Sequence, residues 1–200
     1  MTIIAFISQK GGVGKSTLSQ TLASEAQKQK IKILLADCDS QQGSSHNWNQ
    51  ISKKVPCQVF NQVKEIWPLA KNYDLIIIDG PARTSQATLE IAKRADLIIQ
   101  PTGASRLDLV PAVKEFHALT KTGIPKKKLL FVLNRTATPA EALASQAYLK
   151  EAGYHCCPVV LYEKASYRQV QNEGKSISEV SYKGLRKQVK ELVKSLLGYL

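Results

Sequence analysis

The sequence predicts an α/β domain, a mainly parallel twisted sheet flanked by helices on both faces. Three observations predict it. Short apolar runs alternate with longer helix-compatible segments along the 200 residues. The runs are continuously apolar rather than alternating, as strands covered on both faces are. Finally, a glycine-rich turn follows the first run directly, and acidic or polar residues follow several of the others. Those positions lie beyond the carboxyl ends of the strands, where the ligand crevice of such a sheet sits.

In chain order, "TIIAFIS" is the first strand, and the turn after it opens a helix over 16–29. "KILLAD" is the second strand and ends in acid. The segment 44–73 has no clear period and reads as a short helix, a brief strand near "CQVF" and another helix. "DLIIIDG" is a strand ending in acid, turned at Gly80-Pro81 into a switch-like loop and a helix over 84–94. "DLIIQPT" and "KLLFVLN" are strands, each leading to a helix, over 106–122 and 138–152. "YHCCPVVL" is a less regular strand. A final helix over 179–198 carries one apolar stripe, Tyr182, Leu185, Val189, Leu192, Leu196 and Leu200. Strand, helix, strand repeated in this way implies right-handed βαβ units. No repeat, low-complexity tract or linker interrupts it, so residues 1–200 read as one domain.

No apolar stretch approaches the roughly 20 residues that span a bilayer. Met1 leads straight into a strand-like run without a basic leader or cleavage site, so no signal peptide is expected and a cytoplasmic location is. The four cysteines, Cys38, Cys57, Cys156 and Cys157, fit no CxxC spacing. His155 stands beside two of them, but neighbours on a strand point to opposite faces and rarely share a metal, so no metal is expected there. The net charge of +12 favours nucleic acid, an anionic membrane surface or acidic partners.

The chemistry concentrates in "ISQKGGVGKSTLSQ", residues 7–20. A glycine-rich turn between strand and helix aims backbone N–H groups at an anion, and the helix adds its positive end. In such a phosphate loop Lys15 reaches the β- and γ-phosphates of ATP, Ser16 places its hydroxyl on Mg²⁺, and Thr17 donates to the α-phosphate. This is the loop of a P-loop NTPase fold, yet the usual G-x-x-x-x-G-K-[ST] pattern fails, because its first glycine falls on Gln9. The loop reads Lys10-Gly11-Gly12-Val13-Gly14-Lys15-Ser16-Thr17 instead.

That octet resembles the deviant Walker A signature, KGGxGK[ST], of the ParA/MinD family of ATPases. The resemblance implies that Lys10 crosses a dimer interface to the partner subunit's ATP, so that nucleotide becomes part of the interface. "LLADCDSQQG" is similar to the family's D-x-D-x-Q motif through Asp37, Asp39 and Gln41, with Ser40 where proline is usual. By that likeness Asp39 positions or activates the attacking water and Asp37 supports the phosphate and Mg²⁺ region from behind. "YDLIIIDGPA" resembles the Walker B strand, whose Asp79 accepts from a Mg²⁺-bound water. Pro101, Thr102 and Ser105 match the family's loop before the next helix. "LLFVLNR" resembles the strand that delivers an asparagine, here Asn134, to the adenine edge, and Pro158 to Tyr162 are placed as a wall for the base.

The likeness extends over most of the chain and suits the short ParA type, with no room before the loop for a DNA-reading helix-turn-helix. It implies an ATP-dependent homodimer, nonspecific DNA as a ligand, nucleoid association, and a ParB-like adaptor that stimulates slow hydrolysis to position a plasmid, a chromosome or a protein cargo such as carboxysomes. Lys183, Arg186, Lys187, Lys190 and Lys194 on the last helix are the candidate DNA contacts, with Arg168 and "KKK" at 126–128. The alternative is a MinD-like membrane-surface ATPase that uses the C-terminal amphipathic helix. A nitrogenase-type iron protein needs paired cysteines that are not at the expected places, and an amidoligase needs a small-molecule pocket that the sequence does not identify.

Overall fold

The computed structural model describes residues 1–81 and 86–200. In chain order the elements are β1 (Thr2–Phe6), α1 (Lys15–Lys28), β2 (Ile33–Asp37), α2 (Ser44–Ser52), β3 (Cys57–Val59), β4 (Leu75–Asp79), α3 (Gln86–Arg94) and β5 (Leu97–Thr102). Then come α4 (Arg106–Lys121), β6 (Leu129–Thr136), α5 (Pro139–Glu151), β7 (His155–Cys156), β8 (Leu161–Tyr162), α6 (Ala165–Asn172) and α7 (Lys183–Leu197). The sheet runs β3-β2-β4-β1-β5-β6-β7 with β8 also on β6, and the pairings are parallel.

The continuous apolar strands divide their side chains between two cores, as the two-residue period of a strand requires. Ile3, Ala5, Leu34, Ile76, Ile78 and Ile98 join α3, α4 and α5 on one face. Ile4, Phe6, Leu35, Ile77, Leu97 and Ile99 join α1, α6 and α7 on the other. Burying one such aliphatic side chain contributes about 1.5–3 kcal/mol, so this double-sided burial dominates the sheet's stability. The register aligns the ends that matter, with Asp79 of β4 opposite Phe6 of β1 and opposite Asp37 of β2. The loop after β1 therefore emerges beside both carboxylates.

Several boundaries differ from expectation for local reasons. The last helix starts at Lys183, not 179, because Ile177–Glu179 form a 3-10 turn capped by Ser176, and Val180 is extended. Its stripe loses both ends, since Tyr182 and Leu200 are exposed, and gains Val193. "YHCCPVVL" splits into β7 and β8, which pair at different levels of β6. The segment 44–73 contains α2, β3 and two 3-10 turns, Val63–Glu65 and Trp67–Asn72. α6 was not expected. The first residues of the helix expected over 84–94, and the switch-like loop after Gly80-Pro81, lie in 82–85, outside the described residues.

The four cysteines are free. Burial pushes the thiols of Cys38, Cys57 and Cys156 up to about 12, and raises that of Cys157. Since the thiolate is the reactive species, the folded protein is expected to react slowly with maleimide near neutral pH and to take up four equivalents on denaturation. Rapid labelling of the native chain would show that the sheet edges open.

Candidate nucleotide site

The phosphate loop spans from β1 to α1. Gly12 and Gly14 have left-handed backbones, φ +78° and +101°. Gly14 also has a steric reason to be glycine, because a Cβ there would lie 1.9 Å from Nδ2 of Asn134. At Gly11 and Gly12 a Cβ would meet nothing within 4 Å and would project into open space, as expected of a cradle kept clear for a ligand. The first turn of α1 contains no acidic side chain, so its positive end is not neutralised within the helix.

Behind the loop lies a buried charged cluster. Lys15 Nζ donates to Asp79 Oδ1 at 2.8 Å, and the hydroxyl of Ser45 donates to Asp79 Oδ2 at 2.7 Å. Asp37, fully buried, accepts from the backbone N–H groups of Asp39, Ser45 and His46 at 3.1, 2.9 and 3.0 Å. Burial raises its carboxyl above the usual range, which these hydrogen bonds partly offset and the nearby charge of Asp79 reinforces. Asp39 is buried at the cleft wall and accepts from Gln42 N–H at 3.2 Å.

The cleft has a volume of about 320 Å³, and its walls bring together Lys10, Lys15, Ser16, Thr17, Asp39 and Asn134 with Gly11, Gly12 and Gly14. Val13 lines the adjoining hollow toward α4. Lys10 stands apart from Lys15. It is half-exposed on the rim, and its ammonium is paired with Asp108 in the first turn of α4. Asp108 is held in turn by the hydroxyl of Ser105 at 2.8 Å.

Asn134 reaches the cleft, but its Nδ2 donates to the Val13 carbonyl at 2.8 Å, so in this state it shapes the loop. Pro158 does not reach the cleft. It is exposed between β7, paired at Leu130 and Phe131, and β8, paired at Asn134 and Thr136, and only at Tyr162 does the chain come level with the loop. The wall there is Tyr162, Glu163, Lys164 and Tyr167. Tyr167 is buried, and its hydroxyl has no partner among the described residues.

The basic candidates separate into three places. Lys183, Arg186, Lys187, Lys190 and Lys194 lie together along one exposed face of α7. Arg186 also donates to the carbonyls of Val180 and Ser181 at 3.1 and 3.3 Å, and Lys187 faces Glu191 at 3.8 Å. Arg168 is elsewhere, on the cleft wall and paired with Glu163. Lys126–Lys128 sit at the start of β6, the end of the sheet opposite the loop, where Lys128 donates to the Ala95 carbonyl at 2.8 Å.

Residues that the sequence did not single out complete the site. Ser45 braces Asp79, and Gln171 Nε2 donates to Thr17 Oγ1 at 3.0 Å and Gln20 Oε1 at 3.1 Å, tying α6 to α1. Glu163 receives both Arg168 and Arg135, and those guanidiniums hold its carboxyl below the usual range, Arg168 foremost. The one sequence signal for any of these was the polar dipeptide Asn134-Arg135 at a strand end.

Residues 4–177 match the CobQ/CobB/MinD/ParA nucleotide binding domain. The chain is 27% identical over 195 residues to maintenance of carboxysome distribution protein A of Gloeobacter kilaueensis, an alignment covering 92% of this chain and 87% of that protein. Its fold is similar to that of a Cyanothece McdA variant in complex with ATP, with a TM-score of 0.77 at 20% identity over 99% of this chain and 96% of that one. It is similar as well to a putative plasmid partition protein of Borrelia burgdorferi bound to AMPPNP, with a TM-score of 0.76 at 17% identity over 100% and 99% of the two chains.

Proposed function

We propose, from the premise that this chain belongs to the CobQ/CobB/MinD/ParA nucleotide binding domain family, that it works as a ParA-type ATPase whose ATP-bound homodimer positions a cargo on nonspecific DNA. The observation that carries the reading is the division of labour between two lysines on one loop. Lys15 is buried inside against Asp79, whereas Lys10 is half-exposed on the outer rim, where a second subunit's nucleotide can meet it.

The residues present fit Mg-ATP. The open glycine cradle, Lys15 and the hydroxyls of Ser16 and Thr17 would hold the phosphates and the ion. Asp79 would hold the ion through water, with Asp37 behind it, beside the glycine cradle that stands open at Gly11 and Gly12. Mg²⁺ would offset phosphate charge in the transferring group. Asp39 would orient the attacking water, and phosphoryl transfer asks mainly for such positioning.

The basic face of α7 supports DNA as the surface on which the dimer acts. The membrane alternative is disfavoured by the same helix. Val189, Leu192, Val193 and Leu196 are buried in the core, so the apolar face that would enter a bilayer is already used. No described helix is long and apolar enough to cross a membrane. The likeness to a carboxysome distribution protein and to a putative plasmid partition protein supports a cargo of either kind, and a ParB-like adaptor would stimulate hydrolysis.

The test is Asp39→Ala. With ATP and Mg²⁺ it should accumulate as a dimer that hydrolyses ATP at least about a hundredfold more slowly, and that retains DNA only below about 0.2 M salt. Unchanged turnover would remove Asp39 from the chemistry, and DNA retention that ignores both ATP and salt would remove the α7 face.

A further inference from the structure

Arg135 has a backbone that a side-chain-bearing residue rarely adopts. Its φ is 57°, the left-handed region that glycine enters freely and other residues enter at a cost. It lies where the ladder between β6 and β8 slips. Asn134 pairs with Leu161 and Thr136 with Tyr162, and the register breaks between them. Such a bulge re-aims one side chain, and bulges gather beside functional sites.

The re-aimed side chain points at the phosphate loop. Arg135 Nη1 donates to the Gly12 carbonyl at 2.8 Å. Its neighbour Asn134 donates to the next carbonyl, that of Val13, also at 2.8 Å. Two successive residues of β6 thus hold two successive carbonyls of the loop. In a trans peptide the carbonyl and the following N–H point in opposite directions. Capturing the carbonyls of Gly12 and Val13 therefore directs the N–H groups of Val13 and Gly14 away from those side chains. A loop that binds phosphate needs its carbonyls turned out of the anion's way and its N–H groups presented. Glu163 receives the other edge of the guanidinium, Nη2 at 3.4 Å, which limits the rotation of Arg135.

We propose that Arg135 is a positioning residue for nucleotide binding, strained in order to pin the Gly12 carbonyl outward and keep the loop in its anion-accepting shape. The inference rests on the nucleotide reading above and names a residue that reading does not use. Its substrate class is the polyphosphate of a nucleotide, whatever the base.

The strain allows affinity and stability to be separated. Arg135→Gly removes both the guanidinium and the strain, while Arg135→Ala removes the guanidinium and keeps the strain. Titration calorimetry with a nonhydrolysable ATP analogue and Mg²⁺ should show both variants binding about tenfold more weakly than the wild type, the loss of one charge-assisted hydrogen bond. Thermal melts without nucleotide should place Arg135→Gly about 2–4 °C above Arg135→Ala. Binding by Arg135→Gly within about twofold of wild type would overturn the proposal. So would affinities that follow the melting temperatures, with Gly rescuing what Ala loses, because the role would then be structural. A wild-type chain that binds no analogue would sink the nucleotide reading itself. A wild type that binds as tightly as its Arg135→Gly variant sinks only this inference.

Discussion

Lys15→Ala is expected to destabilise the nucleotide-free protein by about 3 kcal/mol, besides abolishing nucleotide binding. The reason is the carboxylate it leaves behind. Asp79 is fully buried, and its two oxygens are occupied by the Lys15 ammonium at 2.8 Å and the Ser45 hydroxyl at 2.7 Å. Removing the lysine leaves a buried negative charge with one neutral donor, beside Asp37, which is itself fully buried. Breaking one side of such a pair costs about 3–5 kcal/mol, and Ser45 places the expectation at the lower end. Urea denaturation without nucleotide measures it. The double variant Lys15→Ala/Asp79→Asn should recover most of the lost stability and none of the affinity, since the cradle lacks its cation in both. A Lys15→Ala protein within about 1 kcal/mol of wild type would mean that the pair contributes little to the resting fold. On the proposed reading Lys15 would exchange a carboxylate for a phosphate, so its contribution to affinity would be the difference between two charged contacts.

What could be read in advance was what is local or strictly periodic. The octet from Lys10 to Thr17 is contiguous, and it lies in the structure as its glycines require. The unbroken apolar runs announced two cores, and alternate residues of β1, β2 and β4 do part to opposite faces. Contacts made across the chain could not be read. Ser45 sits 34 residues from Asp79, and Arg135 sits 123 residues from Gly12. Neither separation leaves a mark on composition or period. Asn134 shows a subtler limit. Its ability to donate and accept suits adenine, but the same amide suits a peptide carbonyl, and here Val13 has it. Pro158 was misplaced because "YHCCPVVL" reads as one strand, whereas β7 and β8 meet β6 at different levels. Arg168 reads as a further candidate DNA contact, and α6 carries it to the cleft wall and to Glu163.

The rim lysine should respond in the opposite way to the buried one. Lys10→Ala is expected to bind nucleotide within about threefold of wild type and yet remain monomeric at concentrations where the wild type dimerises, because its ammonium lies outside the protomer's own cradle. Asp108→Asn should tighten the dimer. In the protomer Asp108 is the counter-ion of Lys10, so in the proposed dimer the partner's triphosphate would have to win the ammonium from it. A half-exposed ion pair is worth at most about 1 kcal/mol, weak enough to yield to a ligand of several negative charges. When Lys10 leaves, Asp108 keeps the Ser105 hydroxyl and the positive end of α4, so release strands no charge. Each dimer opens two such pairs, so freeing both should lower its dissociation constant by up to about thirtyfold. Sedimentation velocity with Mg²⁺ and a nonhydrolysable ATP analogue reads both effects. The gain from Asp108→Asn should vanish in the Lys10→Ala background, since without the ammonium there is nothing to release. A Lys10→Ala dimer of normal strength would refute the trans role, whereas an Asp108→Asn dimer no tighter than wild type would leave that role intact and show that the resting pair holds nothing back.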